Sequence, residues 1–234
     1  MKPADKTTRF AFLTLLAATV LVAALPTVFP SIDLAASHYF LKPDAPLQTA
    51  KWWWVECINE HTPLVFRSLA VVSLLGWWLA GYSAKFRHWA RPLAFVGIAL
   101  VVGPGLAVSA LKEITTRARP FHVTEFKGAK QFTPAFTVAN QCDDNCAFVS
   151  GHTSDGIFLA SLMLIDRRRR WWWLAAGLAG GLAIGFARVS VGAHWLSDAL
   201  WAFPVTLLAS WLVYLAFERF FPVEPAPLRQ EQLT

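Results

Sequence analysis

Six stretches of this chain are apolar enough, and about long enough, to cross a bilayer, and together they leave little sequence for anything else. A helix needs about 20 predominantly apolar residues to span a hydrocarbon core of about 30 Å. Residues 10–29, 92–111 and 171–187 carry no charge. Residues 62–82 carry only Arg67, near one end where its head could snorkel, 149–165 carry His152 and Asp155, and 195–217 carry Asp198. The triplet Gly103-Pro104-Gly105 predicts a kink in the third window. The expected fold is therefore all-α, a polytopic membrane protein with six transmembrane helices. It comprises a single domain over 1–221 and a short exposed tail at 222–234. Only 15% of the 234 residues are charged, against roughly 25% in ordinary soluble domains. That balance excludes disorder and a nucleic-acid-binding domain despite a net charge of +6.

Lys and Arg between the windows set an orientation. Lys2, Lys6 and Arg9 precede the first window, Lys85, Arg87 and Arg91 link the second to the third, and Arg167 to Arg170 link the fourth to the fifth. All three clusters fall on one face, which the positive-inside rule makes cytoplasmic, with both termini on that side. Loops around 31–61 and 112–148 and the turn near 188–194 then face outward. Lys112, Arg117, Arg119, Lys127 and Lys130 make the 112–148 loop basic against this trend, which points to a functional role for that charge. Ala23-Ala24-Leu25-Pro26 is a weak signal-peptidase site, so an uncleaved first span is expected.

The tryptophan runs 52–54 and 171–173 fall at opposite boundaries, as aromatic belts do. Gly177, Gly181 and Gly185 recur every four residues in the fifth window, a spacing that favours close helix packing. Cys142 and Cys146 lie four apart in the outward loop. In an oxidising compartment they are expected to form a small local disulfide, two free thiols being the alternative. Cys57 is left unpaired.

Polar residues at membrane depth default to function, and here three segments converge on the outer boundary by span order alone. One reads Lys112-x6-Arg119-Pro120, the next Ser150-Gly151-His152, the last Arg188-x5-His194-x3-Asp198. Lys112, Arg119 and Arg188 supply cations suited to phosphate oxygens. Ser150 and Gly151 open a helix whose free N–H groups favour an anion. His194 and Asp198, four apart, share a helix face, so the carboxylate can fix the imidazole tautomer and leave the other nitrogen to attack. His152, from another helix, can protonate a leaving oxygen. Taken singly, each segment reads more simply as a structural pair or a headgroup anchor; together, in this order, they read as a phosphate site. Two histidines and an aspartate could instead hold a metal, but three cations would repel one.

This set of motifs resembles the type 2 phosphatidic acid phosphatase superfamily, whose integral membrane branch has six spans and a metal-independent phosphatase site. Val149 stands where that family commonly has proline, and Ala187 where it commonly has serine. Neither change removes a proton-transfer or nucleophilic group. The resemblance implies that His194 attacks phosphorus, Asp198 orients His194, and His152 protonates the leaving group. Lys112, Arg119, Ser150, Gly151 and Arg188 would hold the phosphoryl oxygens. It implies no cofactor, no metal and no obligatory protein partner; the ligand would be a phosphorylated lipid in a bacterial inner membrane, met at the periplasmic face. The Cys142–Cys146 loop looks most like the lipid A phosphatase-like branch. Undecaprenyl pyrophosphate or phosphatidylglycerophosphate phosphatases, or a lipid-to-lipid phosphotransferase of the same fold, are the alternatives. A non-enzymatic anion-binding or transport protein would not need the His194–Asp198 pair.

Overall fold

The computed structural model of the protein describes residues 4–41 and 48–221, so the expected tail at 222–234 lies outside the described residues. Among those described, the chain is built from helices: α1 (Lys6–Val28), α2 (Ser31–Phe40), α3 (Trp53–Gly81), α4 (Arg87–Leu100), α5 (Val108–Thr115), α6 (Gly151–Ser161), α7 (Arg170–Ser190) and α8 (Leu196–Phe220). A π-helix occupies the position where a kink was expected. A π-helical segment, Val101–Ala107, joins α4 to α5 without a break and contains Pro104. Proline lacks an N–H and its ring crowds the preceding turn, and widening that turn relieves both problems.

Five elements are long and apolar enough to cross a membrane: Lys6–Val28, Trp53–Gly81, Arg87–His122, Arg167–Ser190 and Leu196–Phe220. They correspond to five of the six expected windows. The remaining window, 149–165, forms something shorter, since α6 runs for 11 residues and continues only as a 3-10 turn, Leu162–Leu164. Its packing accounts for the difference in character. Residues Thr153, Ser154, Gly156, Ile157, Phe158, Ala160 and Ser161 of α6 are all buried, whereas only 11% of the apolar window of α3 is covered by protein. The helix carrying Ser-Gly-His is thus enclosed by its neighbours, and α3 displays apolar side chains outward.

Glycines make that enclosure achievable. A Cβ added at Gly177 of α7 would come within 2.3 Å of the Ala160 backbone nitrogen, and one at Gly156 of α6 within 2.8 Å of Gly180 backbone atoms. A Cβ at Gly181 would meet the Phe203 ring of α8 at 2.8 Å. Two members of the glycine row therefore serve the close packing expected of them, and any side chain at 177 would force α6 and α7 apart.

The bundle has two chemically different ends. At one, the start of α1, the start of α7 and the end of α8 are tied by polar contacts. Arg170 pairs with Asp5 at 2.9 Å, Arg9 with Glu218 at 2.6 Å, and the Ala4 N–H donates to the Tyr214 hydroxyl at 2.8 Å. Tyr214 also donates to Glu218. Arg91 closes the α4 side through the Phe217 carbonyl at 3.1 Å. The other end collects α2, the start of α3, the 116–150 loop, the start of α6 and the α7–α8 turn. All the motif residues lie there.

Candidate active site

Ser150 caps α6, its hydroxyl accepting from the Thr153 N–H and hydroxyl. Its own N–H donates to the Asp198 carbonyl at 3.0 Å. Ser150, expected among the residues that hold phosphate, is fully buried and lies outside the cavity wall. Gly151 does line the cavity. The first N–H groups of a helix have no acceptor in a preceding turn, so the backbone at Gly151 keeps the anion-binding character foreseen for it.

One cavity of about 620 Å³ brings together Lys112, Arg119, Gly151, His152, Arg188 and His194. Away from these groups its walls turn apolar, with Phe66, Ala70, Val71, Leu100, Leu106 and Val108. A polar head and an apolar body are thus the shapes it accommodates together.

The three cations are held by neutral oxygens. Lys112 donates to the Asn145 side chain at 2.8 Å. Arg119 donates twice to the Asn145 carbonyl, at 2.7 and 3.1 Å, and to the Ala193 carbonyl at 3.4 Å. Arg188 donates to the Asn59 side chain at 2.9 Å. Among the described residues none of the three forms an ion pair. Asn145 sits in the left-handed region at φ 45, inside the short loop closed by the bridged Cys142 and Cys146, whose Cα atoms are 5.6 Å apart.

His194 is 1% exposed. Its Nδ1 lies 2.8 Å from the Ala147 carbonyl and 3.5 Å from Asp198 Oδ2. A carbonyl only accepts, so Nδ1 carries the hydrogen, and in the neutral ring Nε2 keeps its lone pair. The expected partner Asp198 is close, but the nearer acceptor is a main-chain oxygen that the spacing of the motif does not reveal. Burial, reinforced by Lys112, Arg119 and Arg188, holds the imidazole well below the usual histidine range, so the ring is neutral at neutral pH. His152 reaches the Asn59 carbonyl through Nε2 at 3.2 Å. Asn59 thereby touches both His152 and Arg188.

Behind His194 lies a fully buried charge network. Asp198 Oδ1 accepts from Arg117 at 2.6 Å and Oδ2 from the Trp195 N–H at 2.8 Å. Arg117 also donates to Asp33 at 2.8 Å, to Ser197 at 2.8 Å and to the Thr133 carbonyl at 2.7 Å. Asp33 in turn accepts from the Ser197 N–H at 2.7 Å and its hydroxyl at 2.6 Å. The Arg117 carbonyl accepts from the Ala147 N–H at 2.9 Å, so one residue braces both the carboxylate and the carbonyl that face Nδ1. Asp33, Asn59, Arg117 and Asn145 were not foreseen as site residues. For Arg117 a signal existed: it is an arginine two residues before Arg119 in a loop already noted as too basic.

Among the described residues no group of three or more His, Cys, Asp or Glu is placed to hold a metal ion. The sequence profile of the PAP2 superfamily matches residues 92–222, more than half of the chain and every motif above. The chain belongs to the PAP2 superfamily. Among curated PAP2-like relatives, the lipid A 4'-phosphatase of Francisella tularensis subsp. novicida (strain U112) is 28% identical over 200 residues, covering 82% of this chain and 89% of that protein. The lipid A 4'-phosphatase of Rhizobium leguminosarum is 30% identical over 172 residues, or 73% of this chain and 65% of that one. The fold also matches the crystal structure of the first transmembrane PAP2 type phosphatidylglycerolphosphate phosphatase from Bacillus subtilis, with a TM-score of 0.55 at 18% identity. That match covers 92% of this chain and 98% of the other.

Proposed function

We propose that the protein is a membrane-embedded lipid phosphate phosphatase that works through a phosphohistidine, with lipid A or a similar phosphorylated lipid as substrate. The observation that carries this reading is the trio Lys112, Arg119 and Arg188, gathered at one cavity with neutral oxygens as their hydrogen-bond acceptors. Arg and Lys attract phosphate oxygens more strongly than they attract amide oxygens. A tetrahedral dianion would displace Asn145 and Asn59 and meet His194 Nε2 at the same place. The relatives named as lipid A 4'-phosphatases support the choice of lipid.

In the first step the Nε2 lone pair attacks phosphorus, an N–P bond forms and the bond to the lipid oxygen breaks. His152, held as imidazolium by the phosphoryl dianion beside it, exchanges the Asn59 carbonyl for the departing oxygen and donates the proton, becoming neutral. In the second step water attacks phosphorus, His152 takes its proton, and phosphate leaves with the N–P electron pair returned to His194. Asp198 and the Ala147 carbonyl keep Nδ1–H in place and offset the charge that develops on the ring. Positioning and charge stabilisation are most of what phosphoryl transfer demands, and the three cations take the part a divalent metal plays elsewhere. In this reading α6, extended by its 3-10 turn, is the sixth span, and the three basic clusters support a site at the periplasmic face with both termini inside. The Cys142–Cys146 bridge fits the same side, since such bridges persist in oxidising compartments.

The test is phosphate release from the purified protein in nanodiscs containing lipid A, phosphatidylglycerophosphate, phosphatidic acid or undecaprenyl diphosphate, alongside a radiolabel assay for transfer between lipids. Release from lipid A, inhibited by vanadate and indifferent to EDTA, is the expected result. Labelled phosphate moving to an acceptor lipid without release would make the protein a transferase. EDTA silence reversed by magnesium would overturn the metal-free mechanism. Sidedness is checked on intact spheroplasts: an impermeant thiol reagent should label reduced Cys142 and Cys146, while a cysteine at position 168 should stay protected.

A further inference from the structure

Two charged side chains in the cavity wall take no part in the mechanism above. Asp155 follows His152 by three residues on α6, so it shares a helix face with His152 about 4.5 Å farther from the open end. Arg67 lies on α3 with Pro63, Phe66, Ala70 and Val71, a stripe that lines the same cavity. Side chains on a helix lean toward its N-terminus, which on α3 is the end that bears the site, so a long guanidinium reaches back toward it. The same cavity wall carries Leu100, Leu106 and Val108. Among the described residues neither forms a hydrogen bond or an ion pair, with each other or with anything else. An acidic and a basic side chain that line one cavity with no salt bridge between them leave a gap that a polar ligand can bridge. Ionisable groups at such depth are costly and rarely idle.

We propose that Arg67 and Asp155 form a second polar subsite, inward of the phosphate, that recognises a secondary amide linking an acyl chain to the substrate headgroup. An acidic and a basic side chain in one cavity wall suit a dipolar group that donates at one edge and accepts at the other. An amide offers an N–H to the carboxylate and a carbonyl to the guanidinium at opposite edges, as a bridge between α6 and α3 requires. An ester satisfies Arg67 alone and leaves Asp155 unpaired in an apolar wall, the situation in which a polar site rejects the wrong ligand most strongly. A hydroxyl must serve both groups from one atom. The subsite therefore sorts N-acylated lipid phosphates from glycerol-ester ones. This inference rests on the lipid phosphatase reading for its substrate.

Binding and turnover are measured together in nanodiscs with three probes: ceramide 1-phosphate, its 3-deoxy analogue, which keeps the amide without the hydroxyl, and dioleoyl phosphatidic acid. Wild type is compared with Asp155→Leu and Arg67→Leu, each checked for a monodisperse profile and retained vanadate binding. Wild type should prefer both amide lipids over phosphatidic acid. Each variant should reduce that preference, as a ratio of Kd values and of kcat/KM values, about tenfold or more. A wild-type ratio near one, or a ratio unchanged in both variants, overturns the subsite. A preference that vanishes with the 3-deoxy analogue overturns the amide and reassigns the pair to a hydroxyl. If the ratio of Kd values behaves as expected while no phosphate is released, the subsite stands and the phosphatase reading falls.

Discussion

Arginines behave differently at the two ends of this bundle. At the basic end Arg9 and Arg170 find carboxylates, Glu218 and Asp5, and the pairs tie the first and last helices together on a partly solvated surface. At the opposite end Lys112, Arg119 and Arg188 line a cavity and donate to amide and main-chain oxygens. The same residue types thus act as fasteners where a carboxylate is supplied and keep their charge uncompensated by an acid where it is withheld. Arg117 shows that the second arrangement is not for want of acids nearby. Asp33 and Asp198 lie within the same end, and both are committed to Arg117.

The largest expected effect breaks the cavity end at its reactive atom. His194→Ala should lower phosphate release by several orders of magnitude while the protein stays folded. Near-normal turnover by a monodisperse variant would remove the nucleophile from the scheme. Next in size, Lys112→Met and Arg188→Met should each weaken vanadate binding and cut kcat/KM by about a hundredfold, the scale of losing one charge-stabilising donor. Titration of vanadate inhibition measures this directly.

Asp33→Asn addresses the buried brace. It leaves Arg117 with one carboxylate instead of two and should cost about 3 kcal/mol of stability, seen as a lower Tm in detergent. Because His194 is held below the ordinary histidine range, kcat/KM should keep its plateau as pH falls past about 6.5 and decline only at lower pH, where the ring gains its proton. Lys112→Met removes one of the charges responsible, so its acid limb should move to higher pH. A pH–rate profile that already falls at 7 in wild type would contradict the assignment. The smallest effect belongs to the fastening end: Arg9→Ala should cost no more than about 1 kcal/mol and leave the pH profile where it was.

The sequence carried much of this because span order alone delivers Lys112, Arg119, Gly151, His152, Arg188 and His194 to one boundary. Apolar windows and charge are one-dimensional properties. What it did not disclose depends on partners far apart along the chain. Asp33 is 84 residues from Arg117 on a short helix too brief to stand out in the 31–61 loop. Asn59 meets Arg188 across 129 residues, and the acceptor nearest His194 is a carbonyl, which every residue possesses and no motif can mark. Ser150 was ambiguous for a related reason: a serine before a helix serves as a cap or as a ligand contact with the same spelling. The length of α6 was also hidden, since a helix sealed by glycine-lined neighbours need not satisfy the rule that governs lipid-facing ones.

Asn145 gives the cavity a built-in competitor. Its carbonyl occupies two donors of Arg119 and its side chain the ammonium of Lys112, so any phosphate must first evict it. The exchange taxes ground-state binding of substrate and of inorganic phosphate alike, whereas the extra charge of a pentacoordinate phosphorus outbids a neutral amide by a wider margin. An enzyme arranged in this way releases its product readily. On the proposed mechanism Asn145 would reclaim the cations as phosphate departs, which favours product release over product retention.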